Sequence, residues 1–387
     1  MSRWALALLI VCAVSVRAEA ATKVLYSFKG GSDGATPTGR LLLIGNDLYG
    51  TTSEGGGTGC ERSAGCGTVF KLASDGTETV LHAFESGADG AKPGAGLIAD
   101  SQGNLYGTTA EGGGGNCHKH HKGCGTLFKV TPDGTTTILH AFAGRLGGET
   151  PVGTLTVDED GNFYGATVQG GFHYKKGFGT IYKLAPDGTF TVLVKIPGPP
   201  YFPTGGVLRD PQGNLYGVTQ QGGDDGVGVL YKLAPNGTLT YLHGFDFSDG
   251  AYPTGELIAD AGGNFYGTTS FGGESHGGSV YKLAPDGTFT TLYAFTGGRD
   301  GGRPIAGLIL DTAGNIYGTA SQGGRNSACG TAFELAPNGT ETTLNMFKKA
   351  KGCTPMASPI MDQNGNLYGT ASQGGANRFG SVFRIGN

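Results

Sequence analysis

The chain has 387 residues, with 27 Lys and Arg against 31 Asp and Glu, a formal net charge of −4 and no dense basic run. That balance argues against a nucleic-acid partner. Charged residues make up only 15% while glycines number 76. Without internal order such a composition would mean disorder, but these glycines fall in register with aromatic and branched residues and read as turns and bulges of β-structure.

Residues 1–20 read as a secretory signal. Arg3 supplies the charged start, residues 5–16 form the apolar run, and Ala18-Glu19-Ala20 is an A-x-A cleavage site. The run falls well short of the ~20 residues that cross a bilayer, and no second run of that length follows. Residues 21–387 are therefore expected to be one exported domain, monomeric, with no membrane span. Cys60, Cys66, Cys117, Cys124, Cys329 and Cys353 remain after cleavage, and an even number in an exported chain favours disulfides.

From residue 24 onward the chain repeats itself. Residues 103–109 (GNLYGTT) centre on Tyr106, and equivalent tyrosines stand at 49, 164, 216, 266, 317 and 368, a period of about 50–58 residues. The second repeat shows the pattern. Residues 96–100 (GLIAD) predict a short strand, residues 101–103 a turn, and residues 104–109 a second strand followed by a glycine-rich loop. Residues 125–130 (GTLFKV) alternate apolar and polar with period two, as a third strand does. Pro132-Asp133-Gly134 makes a tight turn, and residues 137–142 (TILHAF) are the fourth strand. Four short antiparallel strands in about 50 residues make one propeller blade. No window after the signal keeps a 3.6-residue apolar period.

The two ends of the chain favour a closed ring. Residues 24–28 (VLYSF) match a fourth strand, and the chain closes on residues 381–385 (SVFRI), which match a third. Pairing them completes seven four-stranded blades and leaves no open edge at the join. The expected fold is an all-β, seven-bladed β-propeller whose last blade is completed by the N-terminal strand.

The repeat, read through L-Y-G-T-T-x-x-G-G, G-T-V-F-K-L and P-D-G-T over nearly all of residues 24–385, resembles that of the GloVer, or choice-of-anchor, tandem-repeat proteins of bacteria. The resemblance implies export and a surface role, and brings no biochemical activity with it. Members often end in an anchoring segment, whereas the last strand here stops just before Asn387, so a secreted or periplasmic location is expected.

Features present in every blade are expected to be structural. The Tyr106 set should fill the packing between blades. Asp100, Asp260, Asp311 and Asp362, placed before Gly-Asn, should cap turns. Antiparallel strands put the monotonous first–second and third–fourth turns on one face. The long, variable second–third and fourth–first loops lie on the other, the loop face, where function usually sits on a rigid scaffold. All six cysteines fall there, giving three expected disulfides: Cys60–Cys66, Cys117–Cys124 and Cys329–Cys353.

Three groups on this face could carry chemistry. His118, His120 and His121 lie between Cys117 and Cys124, a metal-like cluster. The equivalent Cys60–Cys66 loop has no histidine and two lysines crowd the cluster, so a disulfide with solvated histidines is expected, and no metal or other cofactor. His173 and Tyr174, flanked by Lys175 and Lys176, could abstract a proton from a uronic acid, with His276, Arg299, Asp300, Arg303, Arg325 or Arg378 completing an eliminative site. The residues five after each tyrosine, Glu54, Glu111, Gln169, Gln221, Phe271, Gln322 and Gln373, would ring the channel mouth if the second strand lies near the axis. No P-loop, dinucleotide fingerprint, G-x-S-x-G elbow or zinc-protease motif occurs. The expected function is binding of an extracellular polysaccharide or surface protein through the loop face, with a polysaccharide lyase or hydrolase and a protein scaffold as the alternatives.

Overall fold

The computed structural model describes residues 22–57, 60, 65–115, 117, 123–171, 178–198, 201–324 and 329–386. Its strands form seven antiparallel sheets, one per blade of a β-propeller. In blade two the sheet order runs from Ala91–Pro93 and Ile98–Ala99 through Leu105–Glu111 and Thr126–Val130 to Thr136–Ala141. The first strand thus begins earlier than residues 96–100 and is broken in two. The intervening residues 94–96 leave the ladder and line the axis. Blade three keeps this strand whole, as Glu149–Val157.

The ring closes through its ends. Thr22–Ser27 pairs antiparallel with Ser381–Ile385, from Thr22 opposite Ile385 to Ser27 opposite Ser381. Blade seven therefore takes its outer strand from the start of the chain, and no sheet edge is left open at the seam.

The third-strand pattern places an aromatic residue inward, and that ring decides two other positions. In blade two Phe128 lies over Gly107 of the second strand, where a Cβ would come within 2.7 Å of the ring. This is why the repeated tyrosine is always followed by glycine. The same ring meets the phenylalanine that ends the fourth strand of the preceding blade. Phe84 packs on Phe128 at 5.1 Å, and Phe28 on Phe70, Phe245 on Tyr281 and Phe295 on Phe333 repeat it at 5.2, 5.1 and 5.0 Å. Edge-on aromatic pairs add to the roughly 1.5–3 kcal/mol that burying each ring contributes. The hydrophobic core is thus a belt of blade-to-blade contacts. Each fourth strand also carries a bulge beside a leucine, such as Leu139 between Ile138 and His140, which sharpens the twist.

On the turn face, Asp100 accepts bonds from the Asn104 backbone N–H (2.9 Å), the Asn104 amide (2.7 Å) and the Tyr106 hydroxyl (2.9 Å). The same latch recurs at Asp158, Asp210, Asp260, Asp311 and Asp362. Burial works to raise the Asp100 carboxyl, but the bonds from Asn104, Tyr106 and Gln102 outweigh it and hold it below the usual carboxylate range. Burial first, and Asp100 second, push the Tyr106 hydroxyl up to about 12. The Tyr106 ring packs on Phe163 of the next blade at 4.9 Å, so both repeated side chains are structural.

Candidate functional site

Seven first strands surround the axis, each entered from the loop face through an x-Pro step: Thr36-Pro37, Lys92-Pro93, Thr150-Pro151, Phe202-Pro203, Tyr252-Pro253, Arg303-Pro304 and Thr354-Pro355. In all seven the residue before proline has φ between 55° and 61°. This left-handed conformation costs a residue with a side chain roughly 1–2 kcal/mol. Glycine avoids that cost, and it fills most other left-handed positions of this chain, yet none of these seven.

The kink is held from both sides. The Lys92 N–H donates to the Cys66 carbonyl of blade one at 2.8 Å, and Thr150 to Cys124, Tyr252 to Val227, Arg303 to Gly277 and Thr354 to Cys329 repeat the bond at 2.9, 2.7, 2.7 and 2.8 Å. Thr36 closes the ring on Phe379 at 2.9 Å. In four blades a serine hydroxyl of the second strand donates to the kinked residue's own carbonyl: Ser53, Ser270, Ser321 and Ser372 at 3.0, 3.0, 2.9 and 2.9 Å. Each kink is therefore also a joint between neighbouring blades.

All three disulfides sit at these joints. Cys66, Cys124 and Cys329 each supply the accepting carbonyl, and each is bonded as the sequence predicts: to Cys60, Cys117 and Cys353. The first two close short loops within a blade. Cys353, expected in a connection, instead begins the first strand of blade seven (Cys353–Pro355), so its disulfide fastens blade six to blade seven.

The first strand, not the second, lines the axis. Residues from all seven first strands enclose a cavity of about 280 Å³, with Arg40 and Glu256 as its charged lining. Glu256 reaches from blade five to accept the Thr154 N–H of blade three at 2.6 Å. The seven residues five after each tyrosine stand one strand out. Each lies directly across from the residue before a kink, as Glu111 does from Ala91, Phe271 from Ala251 and Gln373 from Cys353. Glu54, Gln169, Gln221 and Gln322 hold the same place opposite Ala35, Glu149, Tyr201 and Gly302. Around the mouth the two sets meet: Thr36 Oγ1 donates to Glu54 Oε2 at 2.9 Å and Lys92 Nζ to Glu111 Oε1 at 2.7 Å.

The proposed catalytic residues His173, Tyr174 and Arg325 and the histidines His118, His120 and His121 lie outside the described residues. Arg299, His276 and Arg378 are exposed on separate loops. The neighbouring Asp300 carboxylate is occupied by the Tyr293 hydroxyl (3.1 Å) and the Thr296 N–H (2.7 Å). Among the described residues of that group Arg303 belongs to the mouth, and its guanidinium lies 5.4 Å from the Phe271 ring.

Of the kinked residues, sequence reasoning singled out Arg303 alone, and for its charge rather than its conformation. The x-Pro step is visible seven times, but it reads as an ordinary extended dipeptide. Nothing in the letters Thr, Lys, Phe, Tyr or Arg announces a positive φ.

A family model described as a Gloeobacter/Verrucomicrobia repeat matches residues 12–119, 114–328 and 258–387. The chain belongs to the Gloeobacter/Verrucomicrobia repeat family. No curated protein matches it by sequence. Among solved structures, this family member is similar to the extracellular domain of a hybrid two-component system protein of B. thetaiotaomicron, at 11% identity and a TM-score of 0.58, over 95% of this chain and 41% of that one. PorZ, a surface component of the type-IX secretion system of Porphyromonas gingivalis, is similar at 12% identity and a TM-score of 0.51, over 89% and 46%. The repeat chain spans less than half the length of either. A gluconolactonase of Xanthomonas campestris shares 16% identity over 95% of this chain and 89% of its own, with a TM-score of 0.47. At such identities the likeness is one of fold alone. No described helix is long and apolar enough to cross a membrane.

Proposed function

We propose that this repeat protein, exported after removal of residues 1–20, binds an extracellular carbohydrate polymer at the loop-face mouth of its propeller. The observation that carries the reading is the ring of seven left-handed positions. A backbone that needed only the turn would use glycine there, as this chain does elsewhere. Side chains are kept at a steric cost, and they differ from blade to blade, which is what a recognition surface requires. Exposed rings beside amide side chains (Phe271 is 43% exposed, Phe247 50%, and Gln221, Gln322 and Gln373 are exposed) suit the apolar faces and hydroxyls of sugars. The cavity at the axis is small and partly spanned by Glu256, so an extended polymer across the mouth fits better than a buried small molecule. Three disulfides accord with a secreted or periplasmic location.

The test is to incubate the mature protein with a panel of immobilised polysaccharides, and to read both retained protein and released oligosaccharides by mass spectrometry. Retention without products is expected. Release of unsaturated products would make the protein a lyase and overturn the reading. Absence of both across the panel would remove carbohydrate and leave a surface protein as the partner.

A further inference from the structure

The seven blades act as controls for one another, and blade five alone gathers an aromatic residue at three positions of the mouth. At the kink, Thr stands in three blades, a cation in two (Lys92 and Arg303) and an aromatic residue in two, Phe202 of blade four and Tyr252 of blade five. Five residues after the tyrosine, six blades carry Glu or Gln, but blade five has Phe271. In the loop leading into the same blade Phe247 lies 50% exposed. These three rings meet through Tyr252. The Tyr252 ring meets Phe247 at 6.2 Å and Phe271 at 6.1 Å, both edge-on. The arrangement is braced rather than loose, because the Phe247 carbonyl accepts the Gly273 N–H at 3.0 Å and the Tyr252 N–H is tied to Val227 at 2.7 Å.

Beside the rings stands the kinked residue of blade six, Arg303, 5.4 Å from the Phe271 centroid. Its guanidinium has no carboxylate partner among the described residues, and the nearest acid in its own loop, Asp300, is already engaged by Tyr293 and Thr296. The contrast with the other cation of the ring is direct, since Lys92 is neutralised by Glu111. An aromatic shelf with a free guanidinium at one end has a definite chemistry. The rings pack on the C–H faces of pyranose units, and the planar fork takes a carboxylate or sulfate in paired, charge-assisted hydrogen bonds.

Resting on the carbohydrate reading, we infer that Phe247, Tyr252, Phe271 and Arg303 form the primary subsite and select an anionic polysaccharide, one whose sugar units carry carboxylate or sulfate groups. A chain of net charge −4 would otherwise repel such a polymer, so Arg303, the kinked cation with no carboxylate partner among the described residues, sets where it lands.

The experiment uses the mature protein and three immobilised polymers: a polyuronate, its carboxyl-reduced neutral counterpart, and a sulfated galactan. Variants return the subsite to the pattern of the other blades (Tyr252→Thr, Phe271→Gln and Arg303→Thr), so each residue already has a folded precedent in this ring. Circular dichroism and melting confirm that they remain folded. The wild type is expected to prefer an anionic polymer over the neutral one by about tenfold or more, the difference a charge-assisted bond supplies. R303T should erase that preference while keeping weak neutral binding, and Y252T with F271Q should weaken all binding. Arg145→Gln, the same loss of charge on another loop, should change nothing. The carboxylated and sulfated arms decide which anion is read. Equal retention of neutral and anionic polymers, or an R303T variant that keeps the preference, overturns the inference while leaving the carbohydrate reading intact. Failure of all three polymers to bind overturns both.

Discussion

Thr150→Gly separates a kink needed for folding from a side chain kept for another purpose. Thr150 has φ 58° and is half-buried, and its N–H is tied to Cys124 at 2.9 Å. No side-chain hydrogen bond of Thr150 is seen among the described residues. Glycine would relieve the left-handed strain, roughly 1–2 kcal/mol. It would add about 0.5–1 kcal/mol of backbone entropy to be lost on folding and forfeit the burial of a methyl group, at most ~0.8 kcal/mol. The terms nearly cancel, so the variant should unfold within about 1 kcal/mol of wild type in urea, with an unchanged slope. Ser321→Ala, which leaves the Arg303 carbonyl without its clamp, should instead cost about 1 kcal/mol. A loss above ~2 kcal/mol in Thr150→Gly would show that these side chains hold the blades together. Glycine would then be avoided at these positions for stability and not for recognition.

Three further outcomes are expected. Tyr182, Tyr231 and Tyr281 are fully buried with hydroxyls that have no partner among the described residues, while four blades use phenylalanine at that place. Changing all three to Phe should therefore raise stability by roughly 1 kcal/mol per site or more, read from the denaturation midpoint, and a loss would reveal a hidden partner. Burial first, and the charge of Asp33 second, raise Glu78 to about 7, and burial raises Glu341 to about 6. Both bind a proton more readily folded than unfolded, so their contribution is complete below about pH 4.5 and is lost as pH rises toward 7. Denaturation midpoints should fall across that window, and Glu78→Gln with Glu341→Gln should flatten the fall. Replacing Cys329 and Cys353 together by alanine frees a 24-residue loop across the seam of blades six and seven and should cost about 3 kcal/mol, an unchanged melting temperature being the contrary result.

The fold was legible because each structural device leaves its own letters. A ring over the second strand demands the glycine after every tyrosine, and the aspartate before Gly-Asn declares the turn it caps. The surplus fourth strand at the N-terminus declares closure. Even the Cys329–Cys353 pairing followed from counting, although not that it crosses between blades, since that depends on where the first strand begins. The strand boundary was misplaced because its first piece, Ala91–Pro93, is short, carries a proline and is cut off from Ile98–Ala99 by Gly94-Ala95-Gly96, letters that argue against a strand.

The candidate site was less legible for a related reason. A positive φ is announced by glycine, and here the informative fact is its absence at positions where the backbone would accept it. The Glu and Gln set could be found from sequence because it follows a fixed spacing, but spacing alone did not say that it stands one strand out from the axis. Once the kinked ring is known, the repeat makes function readable by difference. What seven blades share is needed for closure, and what one blade changes at several touching positions has a cause outside closure. Phe271 and Phe247 depart together and meet on Tyr252, beside Arg303, a mouth cation with no carboxylate partner among the described residues. Single departures could arise anywhere in a repeat array at little cost. Three rings that meet on one exposed shelf leave hydrophobic surface in water, and that cost is offset only when something covers the shelf.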